Sequence, residues 1–347
     1  MTMLAARLYG KGDLRLEHIP VPAIGDEGIL LRVKAATVCG TDLRMFQNGA
    51  AGASPDNPLV LCHEFAGVIE KVGKNVTCYA PGQRVAIAPN FGCGICDRCV
   101  MGESHHCPEL LALGVHIDGG FAEFVRIPAA AVRLGNVTPL ADNVSYLAGS
   151  GNEAFSCVYN AFERYDVNPG ETVVIIGAGA IGLMHAKLAI MAGAAKVIFN
   201  DLSQDRLDEC VALEPSVIAV KDNLLERVME ETNGAGAEVI ITACSAAAAQ
   251  RNSFELAALD GRVNFFGGLP KGKSHVELDT NIIHYKQLSV TGTTRASLHH
   301  FRKTLHFIST GLVDVDPLVT HTFPLDEIGK AFENAANAVG LKQAIVF

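Results

Sequence analysis

The segment that most constrains the fold is a glycine-rich turn that joins a β-branched run to a helix-like run. Thr172–Ile176 has the composition of a buried strand, and GAGAIG at 177–182 supplies the turn. The residues up to about Ala192 follow with helical character, and a second strand is predicted at Lys196–Asn200. A lone GxGxxG motif is a weak signal, but the strands and helix around this one predict a Rossmann βαβ unit.

Each glycine of the turn has a physical reason in a dinucleotide site. Gly177 permits the tight turn, Gly179 lets a pyrophosphate approach the backbone, and Gly182 lets the helix pack on the sheet. Asp201, nineteen residues after Gly182, ends the second strand and can bind ribose hydroxyls while repelling a 2′-phosphate. Arg206 lies either near the adenine or in solvent on a helix. The motif therefore predicts a dinucleotide site that prefers NAD to NADP.

Further alternation of strands and helices extends this unit into a doubly wound parallel sheet over about 155–290. The predicted strands are Ser216–Val220, Glu238–Thr242 and Arg262–Phe266, and the predicted helices are Leu224–Thr232 and Ala246–Ala258. The loop FGGLP at 266–270 follows a strand, at the edge where such sheets bind ligands. We expect the cofactor to contact Gly267 and Leu269 of this loop, together with Ile181 and Thr293.

Four of the ten cysteines fall within fifteen residues, at Cys93, Cys96, Cys99 and Cys107. Cys-x-x-Cys places two sulfurs on one turn, and four thiolates close a tetrahedral coordination sphere with no position left for substrate. The same spacing can hold a redox pair or an iron–sulfur cluster, but nothing nearby supplies a redox partner. We predict a structural zinc, with His105 and His106 facing solvent.

The composition excludes several classes of protein. With 49% hydrophobic and 19% charged residues, the chain resembles a compact protein, and 347 residues suffice for two domains. The formal charge of −9 and the lack of a basic run argue against nucleic acid or an anionic membrane as a partner. No signal peptide is recognisable, and no apolar run reaches the ~20 residues of a membrane span. We expect a cytoplasmic protein without disulfide bonds.

The first 150 residues contain short β-rich segments with frequent Gly and Pro, which predict a barrel-like all-β domain. Within it, Cys39 follows one strand, and His63 and Glu64 stand at another strand boundary about two dozen residues later. One thiolate, one imidazole and one carboxylate leave room for a substrate oxygen, which is the stoichiometry of catalytic zinc. A cation there would lower the pKa of a bound alcohol and prepare it to lose a hydride.

At this point the chain resembles the zinc-dependent medium-chain dehydrogenases over nearly its whole length. The motifs CGTD, HEFAGVIEKVG, PGQRVA, CGICDRC, DGGFAEF and the glycine turn occur in the family's order. The resemblance implies an α/β protein with two domains. One is a GroES-like β-barrel catalytic domain formed by 1–154 with 291–347. The other is a doubly wound Rossmann domain at 155–290.

The resemblance also implies roles for particular residues. Glu153, in NEAFSCVYNAF, stands where alcohol dehydrogenases have a zinc cysteine and polyol dehydrogenases have a glutamate. With Arg295 in GTTRAS, it makes the sorbitol dehydrogenase branch the closest match. By that resemblance, Cys39, His63 and Glu64 bind the catalytic zinc, and Glu153 binds it directly or through water. Arg295 would point at the cofactor or at a polyhydroxy substrate.

Two residues near the predicted catalytic zinc depart from the family pattern. Thr41 would accept a hydrogen bond from the substrate hydroxyl and begin a proton relay, but Arg44 replaces the histidine that usually continues it. The proton would leave through the cofactor ribose to water, or Arg44 would bind an anionic group. Cys62 replaces the glycine that usually precedes the zinc histidine. Adjacent strand residues face opposite sides, so His63 and Glu64 reach one metal only if the strand breaks near Cys62.

These inferences together predict an enzyme. Two zinc ions per chain, one catalytic and one structural, and NAD would serve the oxidation of a secondary hydroxyl of a polyol, sugar alcohol or sugar phosphate to a ketone. The alternatives are a threonine or simple secondary-alcohol dehydrogenase, or a non-catalytic protein that binds zinc and NAD. A late strand within 275–293 can pair across a two-fold axis, so a homodimer or homotetramer is expected.

Overall fold

The computed structural model describes all 347 residues of the chain. Its strands, numbered along the chain, are β1 Thr2–Gly10, β2 Asp13–Pro20, β3 Ile29–Thr37, β4 Leu59–Val60, β5 Phe65–Val72, β6 Arg84–Ile87, β7 Asn90–Phe91, β8 Leu111–Ala112, β9 Phe124–Ile127, β10 Val137–Pro139, β11 Thr172–Ile176, β12 Lys196–Asn200, β13 Ile218–Val220, β14 Ala237–Thr242, β15 Ala257–Phe265, β16 Ser289–Gly292, β17 Val319–Pro324 and β18 Lys342–Val346.

The helices are mostly short. They are α1 Gly40–Asn48, α2 Asp97–Val100, α3 Ala129–Leu134, α4 Tyr146–Tyr165, α5 Ala180–Met191, α6 Gln204–Leu213, α7 Leu224–Glu231, α8 Ala247–Asn252, α9 Thr280–Lys286, α10 Leu298–Ser309 and α11 Ile328–Ala336, with 3₁₀ turns at Ser104–His106, Asp316–Leu318 and Leu325–Glu327. No helix combines the length and the hydropathy that a membrane span requires, the 20-residue α4 included.

The chain divides into two compact units. Unit 1 comprises Met1–Ser156 and Arg295–Phe347, and unit 2 comprises Cys157–Thr294. The boundaries predicted from the sequence, after residues 154 and 290, fall a few residues before these two divisions.

Unit 1 is built on β-sheet, as the sequence predicts for a GroES-like domain. A seven-stranded sheet has the order β10-β6-β5-β3-β18-β17, with β9 also paired to β3, and a three-stranded sheet has the order β2-β1-β4. The central strand β3 is buried along most of its length, which explains its nearly continuous apolar sequence. Since β18 pairs with β3, the C-terminal segment completes the sheet that carries the N-terminal part of the site.

Unit 2 is a Rossmann-type domain with the parallel strand order β13-β12-β11-β14-β15-β16. Strands β11 to β13 are added toward one edge of the sheet and β14 to β16 toward the other, so the strand order switches between β11 and β14. In such sheets ligands bind beyond the carboxyl ends of the strands at this switch point. The core beneath is aliphatic, with Val174, Ile198 and Ile240 fully buried.

One predicted helix of unit 2 is too long. The alanine-rich run at 246–258 predicts a helix on propensity, but α8 ends at Asn252 and β15 begins at Ala257. Ala257 pairs with Ala237 of β14, so tertiary strand pairing overrides the local helical preference.

Candidate active site and zinc sites

The segment between β4 and β5 has an unusual backbone conformation at Cys62. Its φ is +78°, in the left-handed region that favours glycine, and its side chain is fully buried. The Cys62 amide donates to Oδ1 of Asp42 at 3.1 Å. This residue is the break in strand geometry that the sequence requires if the neighbouring His63 and Glu64 are to face one point.

Two glycines of a distant loop pack against the Cys62 carbonyl. A Cβ added to Gly114 or Gly119 would lie 2.1 or 2.0 Å from the Cys62 carbonyl oxygen. The Gly120 amide donates to the same oxygen at 2.8 Å. The segment from Gly114 to Gly120 therefore holds the left-handed turn in place, and only glycine fits at its two closest approaches, Gly114 and Gly119.

The side chains of Cys39, His63 and Glu64 meet beyond this turn. One ligand atom from each lies within 4.8 Å of the others. His63 is 8% exposed and Glu64 is 1% exposed, and Nδ1 of His63 and Oε1 of Glu64 are buried without hydrogen-bond partners. A thiol, an imidazole and a carboxylate that converge in this way are a donor set that zinc accepts, and the unpartnered atoms fit a site built for a cation.

Glu64 also forms a buried ion pair with a residue from the C-terminal strand. Nζ of Lys342 lies 2.6 Å from Oε2 of Glu64 and donates to the Val38 carbonyl at 3.2 Å, and the Thr37 hydroxyl donates to the same Oε2. Burial by itself raises the pKa of Glu64, but Lys342 and His63 outweigh burial and lower that pKa. The carboxylate is therefore held ionised, with Oε1 left for another partner.

Asp42 connects the two chain segments of this cluster. It is fully buried in the first turn of α1 and accepts hydrogen bonds from the amides of Cys39, at 2.8 Å, and Cys62. Its Oδ1 lies 3.9 Å from Nδ1 of His63. Burial raises the pKa of Asp42, and the two amide donors and His63 oppose that rise. The motif CGTD thus supplies a positioning carboxylate as well as a cysteine.

The other site residues predicted in unit 1 are Glu153, Thr41 and Arg295, and none of them belongs to the cluster of three converging ligand atoms. Glu153 is 6% exposed on α4, and its charge raises the pKa of both His63 and Lys342, although it is outside the set of three converging ligand atoms. Thr41 lies in the first turn of α1. Arg295 is exposed, with a left-handed φ of +58°, where the chain re-enters unit 1.

The four-cysteine lobe is also gathered into a cluster that can hold a metal. One sulfur from each of Cys93, Cys96, Cys99 and Cys107 lies within 4.8 Å of the others, and none forms a disulfide. A Cβ on Gly92 would lie 2.5 Å from Sγ of Cys99. Amide donors from Ile95 and Cys96 lower the pKa of Cys93 to about 7, which favours the thiolate that zinc binds. The donor set fits a structural zinc ion.

The prediction that both histidines of this lobe face solvent is wrong for His105. The 3₁₀ turn Ser104–His106 points His105 inward, where it is 2% exposed, while His106 is exposed. The His105 ring lies 4.0 Å from the His106 ring and 5.8 Å from the His300 ring of α10. Successive side chains of a 3₁₀ turn point about 120° apart, so the two histidines cannot face the same side, and His105 is the one that packs against α10.

In unit 2 the glycine turn has the conformation that a dinucleotide site requires. Gly177 has a φ of +118°, and a Cβ on Gly182 would lie 2.0 Å from the Gly177 carbonyl oxygen. Asp201 accepts hydrogen bonds from the amides of Ala178, at 2.8 Å, and Ser203, at 2.9 Å, so its carboxylate is fixed beside the turn. A cavity of about 570 Å³ is lined by Gly177, Asp201 and both apolar and polar residues of the neighbouring segments, among them Leu202, Leu224, Asn200 and Lys221. These features fit the adenosine half of a nicotinamide dinucleotide.

The remaining predicted cofactor residues are spread around this turn. Nη1 of Arg206 lies 3.7 Å from the Cβ position of Gly179, and its Nε is buried without a partner. Gly267 packs so closely on Cys244 that a Cβ would lie 2.1 Å from the Cys244 carbonyl oxygen. Further cofactor contacts predicted from the sequence fall on residues outside the cavity lining: Ile181 and Leu269 are half-buried, and Oγ1 of Thr293 is buried without a partner.

The two units match two known domain families. Residues 25–136 match the alcohol dehydrogenase GroES-like domain, and residues 180–310 match the zinc-binding dehydrogenase domain. Together with the two clusters and the glycine turn, these matches define a zinc-binding oxidoreductase with a nicotinamide cofactor.

Curated relatives and solved structures cover nearly the whole chain. L-threonine 3-dehydrogenase of Bacillus licheniformis is 34% identical, over 93% of this chain and 92% of the relative. Sorbitol dehydrogenase of Bombyx mori is 30% identical, over 97% of each. A zinc-binding dehydrogenase from Sinorhizobium meliloti bound to NADP superposes with a TM-score of 0.90 at 28% identity, over 100% of both chains. An Escherichia coli alcohol dehydrogenase complexed with NADH gives a TM-score of 0.88 at 26% identity, over 100% of this chain and 99% of that one.

The chain belongs to the zinc-dependent medium-chain alcohol dehydrogenase family.

Proposed function

We propose that this chain oxidises a secondary hydroxyl of a polyol, sugar alcohol or sugar derivative, phosphorylated or not, to a ketone with NAD⁺. The observation that carries the proposal is the convergence of Cys39, His63 and Glu64 at one point of unit 1. The likeness to a sorbitol dehydrogenase at 30% identity supports the substrate class.

In this proposal the chain carries two zinc ions. Cys39, His63 and Glu64 hold the catalytic ion, with Glu153 binding it directly or through water. Cys93, Cys96, Cys99 and Cys107 hold the structural ion. Zinc held by these residues would supply a positive charge that polarises the substrate hydroxyl and lowers its pKa.

The protein side chains do the remaining work at the catalytic site. Lys342 keeps Glu64 ionised, and Asp42 fixes the chain around Cys39 and His63. Thr41 accepts the hydrogen bond of the substrate hydroxyl, and Arg295 contacts the cofactor or a further hydroxyl of the substrate.

We further propose NAD as the cofactor in preference to NADP. The turn residues Gly177, Gly179 and Gly182 would face the pyrophosphate, and Asp201 would accept hydrogen bonds from the ribose hydroxyls. The likeness to structures with NADP and with NADH leaves both cofactors open by similarity, so the argument depends on Asp201. Replacing Asp201 by Ala together with Leu202→Arg should shift the kcat/KM ratio toward NADP, and an unchanged ratio would remove Asp201 from ribose recognition.

Oxidation of L-threonine is the second candidate. Its support is the 34% identity to an L-threonine 3-dehydrogenase, a little above the identity to the sorbitol dehydrogenase. Threonine presents a secondary hydroxyl next to an ammonium and a carboxylate, so both substrates would use the same zinc chemistry and differ only in the groups around the reacting carbon.

An assay of NAD⁺ reduction over a substrate panel tests these proposals. The panel contains polyols, their phosphates, L-threonine and simple secondary alcohols, measured before and after chelation and after zinc is restored. The proposal expects the highest kcat/KM on a polyol or its phosphate, abolished by the chelator and restored by zinc. A preference for L-threonine would select the second candidate, and no turnover with any alcohol would overturn both.

We also propose a cytoplasmic homodimer or homotetramer. The strand β16 is the edge of the unit 2 sheet and is largely exposed, which leaves its backbone groups free to pair with a second copy. The molar mass in solution tests this, and a monomer would contradict it.

A further inference from the structure

Arg44 forms a direct hydrogen bond with Thr41 on the first helix of unit 1. Its Nη2 lies 2.8 Å from Oγ1 of Thr41, three residues earlier on α1. Residues at this spacing share a helix face, and long side chains lean toward the helix N-terminus, so the guanidinium reaches back over Thr41. Arg44 is exposed and forms no ion pair with a carboxylate. The hydroxyl is therefore a specific partner of this cation.

The contact restricts what the Thr41 hydroxyl can do. A hydroxyl has one hydrogen to donate and two lone pairs that accept. A guanidinium has only N–H donors and no acceptor, so Arg44 is the donor in this bond and occupies one lone pair of Oγ1. One lone pair and the O–H remain. The free lone pair can accept a hydrogen bond from a substrate hydroxyl, and the O–H group can donate a hydrogen bond to water.

We propose that Arg44 is a positioning residue for the dehydrogenase reaction: it fixes the rotation of the Thr41 hydroxyl so that Oγ1 presents its free lone pair to the substrate hydroxyl. This inference rests on the proposed function, which assigns Thr41 to that hydroxyl. It also replaces the relay expected from a histidine, because a guanidinium cannot take up a proton.

The proton balance of the step follows from this arrangement. The substrate O–H bond breaks and a new O–H bond forms on Thr41, while the original Thr41 proton passes to water. The hydride leaves the substrate carbon for NAD⁺, which is reduced to NADH. Arg44 donates its hydrogen bond throughout and changes neither charge nor protonation.

A double-mutant cycle on residues 41 and 44 tests the proposal. Arg44→Met removes the donor, Arg44→Lys keeps a charged donor, and Thr41→Val removes the hydroxyl at nearly constant shape. Arg126→Met, at an exposed arginine of β9, is the matched control. Each is assayed for kcat and KM with the best substrate of the panel, for zinc content and for thermal unfolding.

The expected result is a fall in kcat of about 10- to 100-fold in Arg44→Met, as for loss of a hydrogen bond from a charged donor. Zinc content and unfolding temperature should match those of Arg126→Met, and Arg44→Lys should recover most of the lost kcat. In the Thr41→Val background, Arg44→Met should lower kcat little further, because Arg44 acts through the Thr41 hydroxyl that this background lacks.

Two results would overturn the inference in distinguishable ways. The role of Arg44 alone would be overturned if the unmodified enzyme turns over but Arg44→Met has the same kcat as Arg126→Met. It would also be overturned if the kcat losses of Arg44→Met and Thr41→Val are additive in the double mutant. Absence of turnover by the unmodified enzyme on every alcohol would overturn the proposed function, and the role of Arg44 with it.

Discussion

The ammonium of Lys342, on the last strand of the chain, lies 2.6 Å from the Glu64 carboxylate, and both groups are almost completely buried. Two charges in this position stabilise each other only as a pair, since each would otherwise be left desolvated. The pair places the C-terminal strand β18 in direct contact with the predicted catalytic metal cluster. Glu64 thereby keeps its negative charge without a metal.

We predict that Lys342→Met strongly destabilises unit 1 of the protein stripped of zinc with a chelator, because without both zinc and Lys342 the Glu64 carboxylate is buried with no cation beside it. Loss of one member of a buried pair typically costs about 3–5 kcal/mol of unfolding free energy. The control is Lys330→Met, which removes an exposed ion pair with Glu327 and should change stability little. Urea unfolding of both variants measures the difference, and equal unfolding midpoints would show that the buried ion pair does not stabilise the fold.

Gly119→Ala should distort the turn that carries His63. The new Cβ would lie 2.0 Å from the Cys62 carbonyl oxygen, so the backbone of one segment must move. We expect a loss of about 1–3 kcal/mol, as for other overpacked sites, together with weaker zinc binding at the Cys39 cluster. Gly25→Ala is the control, because no atom lies within 4 Å of its Cβ position. If Gly119→Ala retains the metal and the stability of this control, the packing argument fails.

The buried His185 of unit 2 should make stability depend on pH. Its Nδ1 lies 2.9 Å from the Tyr165 hydroxyl, and burial lowers the pKa of His185 from 6.5 to about 3. The unfolded chain binds a proton here below pH 6.5 and the folded chain does not. The contribution to stability is therefore complete above pH 6.5 and is lost as the pH falls toward 3.

Urea unfolding at pH 7.5 and pH 5 measures this contribution. Between these values the unmodified protein should lose about 2 kcal/mol more unfolding free energy than His185→Asn, which has no imidazole to protonate. All other titrating groups are common to both proteins and cancel in the comparison. An identical loss in the two proteins would mean that His185 is protonated in the folded chain.

The parts of the molecule that the sequence predicts well are those that depend on short spacing. The turn from Gly177 to Gly182 and the lobe from Cys93 to Cys107 each need several residue types at fixed local separations, and both have the expected geometry. Long-range partners leave no such trace. Nothing in the sequence around Lys342 indicates that it meets Glu64, because the contact depends on the pairing of β18 with β3.

The conformation at Cys62 is predicted from the sequence only in part. The requirement that His63 and Glu64 face one metal indicates a break in the strand, and the structure has it at Cys62, with φ +78°. No role for Asp42 is predicted from the sequence, although it stands three residues after the N-cap residue Cys39. A carboxylate at that position commonly accepts a hydrogen bond from the N-cap amide. The burial of His105 could not be predicted, since two adjacent histidines give no local indication of which one packs inward.

The zinc content of two cysteine variants tests the central claim most directly. Cys39→Ser removes a proposed ligand of the catalytic zinc, whereas Cys62→Gly replaces a neighbouring cysteine by the residue that its backbone conformation favours. We predict two zinc ions per chain in the unmodified protein and in Cys62→Gly, both active, and one zinc ion with no turnover in a folded Cys39→Ser. Two zinc ions and normal turnover in Cys39→Ser, or loss of a zinc ion in Cys62→Gly but not in Cys39→Ser, would contradict the account.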